Sequence, residues 1–239
     1  MPDVATIDRT ETITVADRFC GPPRIGNGGN IAGRLAAYVP GSVEVTLRRP
    51  APLATPLAVE RMSSDEVELV HEGAVLASAK QTLLALDVPR PPSSDEARAA
   101  ASKFPGFTYH TFTNCFVCGP ARHKHDGLRI FSGPTAEGDV VAAPWTPDSS
   151  LASPAGGIDT AFVWAALDCP GYFAAGFVRE TALLGRFAAE VDRAPGIGES
   201  TIVIGWPLGR DGRKAHAGTA LVGEDGDVLA RAKATWITI

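Results

Sequence analysis

The chain has 239 residues, a hydrophobic fraction of 45% and a formal net charge of −5 from 22 basic and 27 acidic side chains. That length accommodates one large domain or two of roughly 100–120 residues, and an acidic balance without a basic run argues against a general nucleic-acid binder. No stretch approaches the roughly 20 apolar residues of a membrane span, the opening Met1-Pro2-Asp3-Val4 lacks the order of a signal peptide, and four cysteines (Cys20, Cys115, Cys118, Cys169) are too few for a disulfide framework. A cytoplasmic protein with no membrane and no nucleic-acid partner is the expectation.

Residues 11–15 alternate and predict an opening strand. Residues 20–27 hold two glycines and two prolines and read as a loop. Residues 28–38 predict a helix built on small residues, among them Gly33, Ala36 and Ala37, and Pro40-Gly41 ends it. Residues 42–48 put Val43, Val45 and Leu47 on one face and Glu44, Thr46 and Arg48 on the other, the period of a half-buried strand. Residues 57–61, 66–71 and 74–84 follow as strands with turns at Ser63-Ser64-Asp65 and Glu72-Gly73, so an antiparallel meander is expected. Residues 87–102 are rich in Pro, Ser, Ala and charge, with a short helix over 94–102. They suggest an N-terminal unit 1–90, a linker 91–104 and a C-terminal unit 105–239.

In the second unit, residues 127–131 and 139–143 predict strands. Ser153-Pro154 reads as a cap followed by proline at the first helical position. Residues 157–167 are apolar on nearly every face, so this helix must be surrounded by protein, and Cys169-Pro170-Gly171 stops it. Residues 183–191, 200–207, 214–223 and 227–239 predict four strands, with turns at Gly209-Arg210-Asp211-Gly212 and Glu224-Asp225-Gly226.

The two halves echo one another. Residues 73–83 (GAVLASAKQTL) and 226–236 (GDVLARAKATW) share Gly, Val-Leu-Ala, Ala-Lys and Thr at an offset of 153, and Gly28-Gly29 and Gly156-Gly157 each precede an apolar stretch. Repetition of this kind points to fused units, and the interface of a fused pair is a natural place for a pocket. The pattern alone fits either a sheet curled around each helix or an α+β sandwich of layers.

Three stretches resemble the hotdog-fold thioesterase superfamily, in its tandem, double-hotdog form. They are Gly26-Asn27-Gly28-Gly29 with the strand after it and Pro50; Cys115-Phe116-Val117-Cys118-Gly119 with Gly127-Leu128-Arg129; and Trp164-Ala165-Ala166-Leu167-Asp168-Cys169-Pro170 with the last two strands. The resemblance implies an α+β double hotdog, with two antiparallel sheets each wrapped around a central helix. It implies acyl thioesters, acyl-CoA above all, bound at the seam between units. There a carboxylate activates water and an amide at a helix start polarises the carbonyl, with no cofactor beyond the CoA of the substrate. The alternatives are an acyl-CoA hydratase or dehydratase, and an acyl-CoA or small-ligand binding module without chemistry. The fusion supplies a pseudo-dimer within one chain, so a monomer and a homodimer of double hotdogs are both open.

Placed on that frame, the amides of Gly29 and Gly157 are the candidates to hold an oxyanion, because a helix start offers free N–H groups and the positive end of a dipole. Gly28 and Gly156 would let a ligand oxygen approach. Asp159, early in an apolar helix, is the first choice of base, since a carboxylate held among apolar neighbours is raised in pKa. Asp168, near the expected helix end, reads first as structural, paired with an arginine such as Arg179 or Arg186; Asp168 and Glu180 are the secondary candidates for the active carboxylate. Asn27 and Asn30 flank the first glycine pair and serve either as caps or in orienting a carbonyl or water. Phe162 and Trp164 would shape the acyl tunnel, and Arg48, Arg49, Arg210 and Arg213 are candidates for CoA phosphates. Cys115-x2-Cys118 with His123 and His125 offers four donors for a zinc set, but the short spacing favours a tight thiol-bearing turn over zinc or a redox pair or disulfide, so no metal is expected.

Overall fold

The structure, a computed structural model, describes residues 11–136, 138–153, 156–177 and 179–239. The first half supplies strands β1 (Glu11–Thr14), β2 (Val43–Leu47), β3 (Pro56–Arg61), β4 (Glu66–His71) and β5 (Ala74–Gln81). The second supplies β6 (Gly133–Pro134), β7 (Val141–Trp145), β8 (Ala182–Val191), β9 (Thr201–Asp211), β10 (Lys214–Gly223) and β11 (Val228–Thr238). The helices are α1 (Gly28–Ala36), α2 (Ser94–Ala101) and α3 (Thr160–Ala174). No helix among the described residues is long and apolar enough to cross a membrane.

The strands form one antiparallel sheet in the order β1-β3-β4-β5-β2-β8-β11-β10-β9-β7-β6. Read outward from its middle, the order repeats: β2, β5, β4, β3, β1 on one side and β8, β11, β10, β9, β7 on the other. The sequence echo therefore falls on equivalent strands, β5 and β11, and the turn glycines before them, Gly73 and Gly226, both take positive φ (73° and 84°). Two sheets were expected, and one is found. β2 pairs with β8, Val43 opposite Ala189 and Val45 opposite Phe187. This pairing satisfies two strand edges that would otherwise expose rows of backbone donors and acceptors.

The sheet wraps α1 and α3, which pack against each other, with α3 backed by β9, β10 and β11. This is the tandem hotdog arrangement implied by the sequence resemblance. Twelve residues of α3 are buried, including Val163, Trp164 and Leu167; each large apolar side chain so buried contributes roughly 1.5–3 kcal/mol. The two helices touch through glycine. A Cβ on Gly29 would lie 2.6 Å from the Trp164 carbonyl oxygen, and one on Gly33 would lie 2.7 Å from the Ala161 Cα.

Local readings needed correction in three places. α3 begins at Thr160, because Gly156 and Gly157 take φ of 89° and 71° and lie in the preceding loop; Pro154 lies outside the described residues. α3 also runs through Pro170 to Ala174. Proline costs a helix one donor, but the surrounding sheet holds this segment, with Gly205 allowing close approach to the Pro170 carbonyl. Residues 127–131 form no strand, since Arg129 takes φ 56°. Instead the Leu128 and Ile130 amides bond the carbonyls of Phe116 and Val117 and clamp the cysteine turn. The short helix expected within the linker is present as α2, set by a capping box between Ser93 and Glu96 and packed on β7.

Candidate active site

Where the start of α1 meets the middle of α3, a cavity of about 310 Å³ opens. Its walls come from the loop before α1 (Gly21, Ile25, Asn27), the end of β2, residues 109–118, the second half of α3 and the facing parts of β8 and β11. Most of that wall is apolar, with Ile31, Leu47, Phe112, Phe173, Leu184 and Trp236 among its members. Arg48 and Arg49, exposed at the end of β2, stand on the same wall.

The polar centre is Asp168, only 2% exposed. Its Oδ2 accepts hydrogen bonds from Asn27 Nδ2 at 2.7 Å and from the Gly29 amide at 2.9 Å. Oδ1 has no partner among the described residues. Burial pushes the carboxyl up to about 7; the Gly29 amide and Asn27 pull against that rise, and the neighbouring Cys115 adds to it. Desolvation of the charged form therefore wins over the hydrogen bonds that favour it.

The first turn of α1 can be accounted for amide by amide. Gly29 N–H goes to Asp168, Asn30 N–H to the Asn27 Oδ1 cap at 2.9 Å, and Ile31 N–H to the Asn27 carbonyl. The Gly28 amide, on the cavity wall, is left without an acceptor among the described residues. Asn27 thus serves twice, as helix cap and as donor to the carboxylate, and it is itself 2% exposed.

Other polar groups share the cavity. Tyr172 donates its hydroxyl to the Glu180 carbonyl at 2.6 Å, and burial pushes its phenol up to about 12, too weak an acid to titrate at neutral pH. His110 Nδ1 accepts the Phe112 amide at 3.1 Å, and its Nε2 lies 3.2 Å from Cys118 Sγ; burial lowers its pKa, favouring the neutral ring. Cys115, Cys118 and Cys169 also line the wall. The cysteine turn is tight: a Cβ on Gly119 would lie 2.5 Å from the carbonyl oxygens of Cys115 and Thr113.

The remaining sequence candidates lie elsewhere. Asp159 caps α3 by accepting the Ala161 amide at 2.9 Å and is absent from the cavity wall. Gly156 and Gly157 are exposed loop residues. The pairing expected for Asp168 is not made: Arg179 is exposed, and Arg186 lies 3.7 Å from Glu44 at the surface. Glu180 is exposed and pairs with Arg210 at 2.8 Å, while Arg210 and Arg213 stand away from the cavity. Phe162 packs on Phe19 and Phe116, and Trp164 on Phe187. Asn30 is buried, with its Oδ1 taken by Arg34. His123 is exposed and His125 faces Asp148, so neither joins the cysteines. Of the polar groups on the cavity wall, sequence reasoning passed over His110 and Tyr172 and underrated Asp168. The signal for Asp168 was a single carboxylate in a run of apolar residues, where an unpaired charge is expensive.

No family model and no curated protein matches this chain. Solved structures do match over nearly its full length. The tesB protein of Mycobacterium avium subs paratuberculosis aligns with a TM-score of 0.60 at 16% identity, over 96% of each chain. Acyl-CoA thioesterase II TesB2 of Mycobacterium marinum aligns at 0.59 and 13%, over 95% of this chain and 91% of that one. A conserved hot dog fold protein of Alicyclobacillus acidocaldarius aligns at 0.55 and 14%, over 98% and 95%. These likenesses define the class by fold: the chain is a double-hotdog protein.

Proposed function

We propose that the chain hydrolyses acyl thioesters, of the acyl-CoA class, at the single site where Asp168 meets the start of α1. The observation that carries this reading is the state of Asp168. It is a buried carboxylate on an apolar cavity, fixed through one oxygen, free at the other, with its pKa raised to about 7. A base so tuned is half ionised at neutral pH and accepts a proton well. Water on Oδ1 would lose its proton to Asp168 as its oxygen attacks the carbonyl carbon. The resulting oxyanion would be met by the Gly28 amide at the positive end of α1. Collapse would break the carbon–sulfur bond, and the departing thiolate would recover the proton from Asp168. One water is consumed, and one acid and one thiol are released. The Gly29 amide, the oxyanion candidate in the sequence, is engaged by the carboxylate and acts in holding the base.

The apolar wall suits an acyl chain, and the exposed Arg48 and Arg49 suit CoA phosphates. The similar fold of the acyl-CoA thioesterase II of M. marinum supports the same substrate class. The repeat supplies a reason for one site per chain. Asp168 stands nine residues after the α3 cap Asp159; nine residues after the α1 cap Asn27 stands Ala36. Ala36 lines a smaller cavity of about 150 Å³ beside the start of α3, on whose wall no ionisable side chain stands among the described residues.

The test is thiol release from short, long and aromatic acyl-CoAs by wild type and Asp168→Asn. Turnover of at least one class, falling by roughly 10²–10⁴-fold in the variant, is expected. Undiminished turnover in a folded Asp168→Asn removes Asp168 as the base. Binding of acyl-CoA without turnover by wild type points to a binding module instead.

A further inference from the structure

The proposed hydrolysis leaves three thiols on the cavity wall unused. Cys115 and Cys118 come from the tight turn before Gly119, and Cys169 from α3, the residue after Asp168. All three are buried, and their sulfurs lie within 4.8 Å of one another; the Cys115–Cys169 separation is 3.7 Å. Thiolates held by a tetrahedral zinc ion at about 2.3 Å have sulfurs roughly 3.8 Å apart. A disulfide would require about 2.05 Å and would use only two of the three. The Cys-x2-Cys spacing is also one with which a single turn grips one ion.

The surroundings match ligating sulfur. The amides of Val117 and Cys118 hydrogen-bond the Cys115 sulfur. His110 accepts the Phe112 amide at Nδ1, so its hydrogen is on Nε2, from which it donates to Cys118 Sγ at 3.2 Å. Donors of this kind behind the sulfurs tune and orient metal ligands. The same tautomer makes His110 a positioning residue rather than a ligand. We infer that Cys115, Cys118 and Cys169 bind one thiophilic divalent cation of the zinc class, its fourth coordination position on the side of the cavity they line. Three thiols release three protons to solvent as their thiolates bind one dication, leaving a centre of net charge −1. The ion ties the cysteine turn to α3 beside Asp168, and the inference stands independently of the thioester reading.

Anaerobic titration of the reduced, chelator-stripped chain with Co²⁺ tests it. One ion per chain is expected, with thiolate-to-cobalt charge-transfer absorption and the intense visible bands of four-coordinate cobalt, all lost on adding Zn²⁺. Cys169→Ser and Cys118→Ser abolish those bands, while Cys20→Ser, outside the cluster, retains them. His110→Phe keeps the spectrum and weakens binding by about 10–100-fold. Wild-type chain with reduced thiols and no such bands overturns the site, as does an unchanged spectrum in Cys169→Ser.

Discussion

At the scale of single residues, the role proposed for Asp168 links pH to both activity and stability. Its folded pKa of about 7 lies above the ordinary 3.8. With the ionised form as the proposed base, the rate on an acyl-CoA should rise through pH 7 and level off above it, and Asp168→Asn should erase that limb. The stability effect has the opposite sense. The unfolded chain ionises near pH 4 while the folded one holds its proton until about pH 7, so stability falls over that interval and is constant beyond it. The loss is on the order of 4 kcal/mol at most. In urea titrations across pH 4 to 8, Asp168→Asn should therefore gain on wild type as pH rises, and parallel curves would refute the buried, raised carboxylate. Asn27→Ala removes both a donor to the carboxylate and the cap of α1. It should cost about 1–2 kcal/mol and move the activity limb to higher pH, since the ionised form loses a hydrogen bond. A limb that stays in place would separate Asn27 from the tuning of Asp168.

At the scale of elements, the site exists because α1 and α3 approach closely enough for one helix start to meet the middle of the other. Glycine at positions 29 and 33 permits that approach. A Cβ on Gly33 would meet the Ala161 Cα and the Trp164 Cβ, both at 2.7 Å. Neither neighbour is the loose end of a flexible side chain, so Gly33→Ala should force the helices apart and cost roughly 1–3 kcal/mol. A drop in thermal midpoint together with a loss of turnover is expected, because Gly29 and Asn27 would withdraw from Asp168. An alanine variant as stable and active as wild type would mean that the contact yields easily. The same closeness explains why α3 is apolar all round: one side faces α1 and the rest faces the sheet.

At the scale of the whole molecule, duplication produced a symmetric frame with an asymmetric interior. The strand order mirrors about the β2–β8 seam, but one helix carries Asp168 and the other Ala36 at the matching place. Calorimetric titration with a non-hydrolysable acyl-CoA analogue should therefore find one equivalent bound per chain. Two equivalents of similar affinity would require the smaller cavity to serve as a second site.

Local pattern was enough to determine most strands of the sheet, the existence of α1 and α3 and the duplication. Alternation, turn glycines and an apolar helix are written over neighbouring residues and need no distant partner. The short-range readings that failed did so where backbone geometry was unusual: positive φ at Arg129, Gly156 and Gly157, and a proline carried within α3. The choice between Asp159 and Asp168 could be made only by the tertiary structure. Both are carboxylates at the ends of one apolar stretch, and their roles differ through partners far away in the chain. Asp159 caps its own helix, whereas Asp168 meets residues 27 and 29, some 140 positions earlier. A carboxylate acquires its pKa from burial and contacts, and those exist only once the two helices have packed.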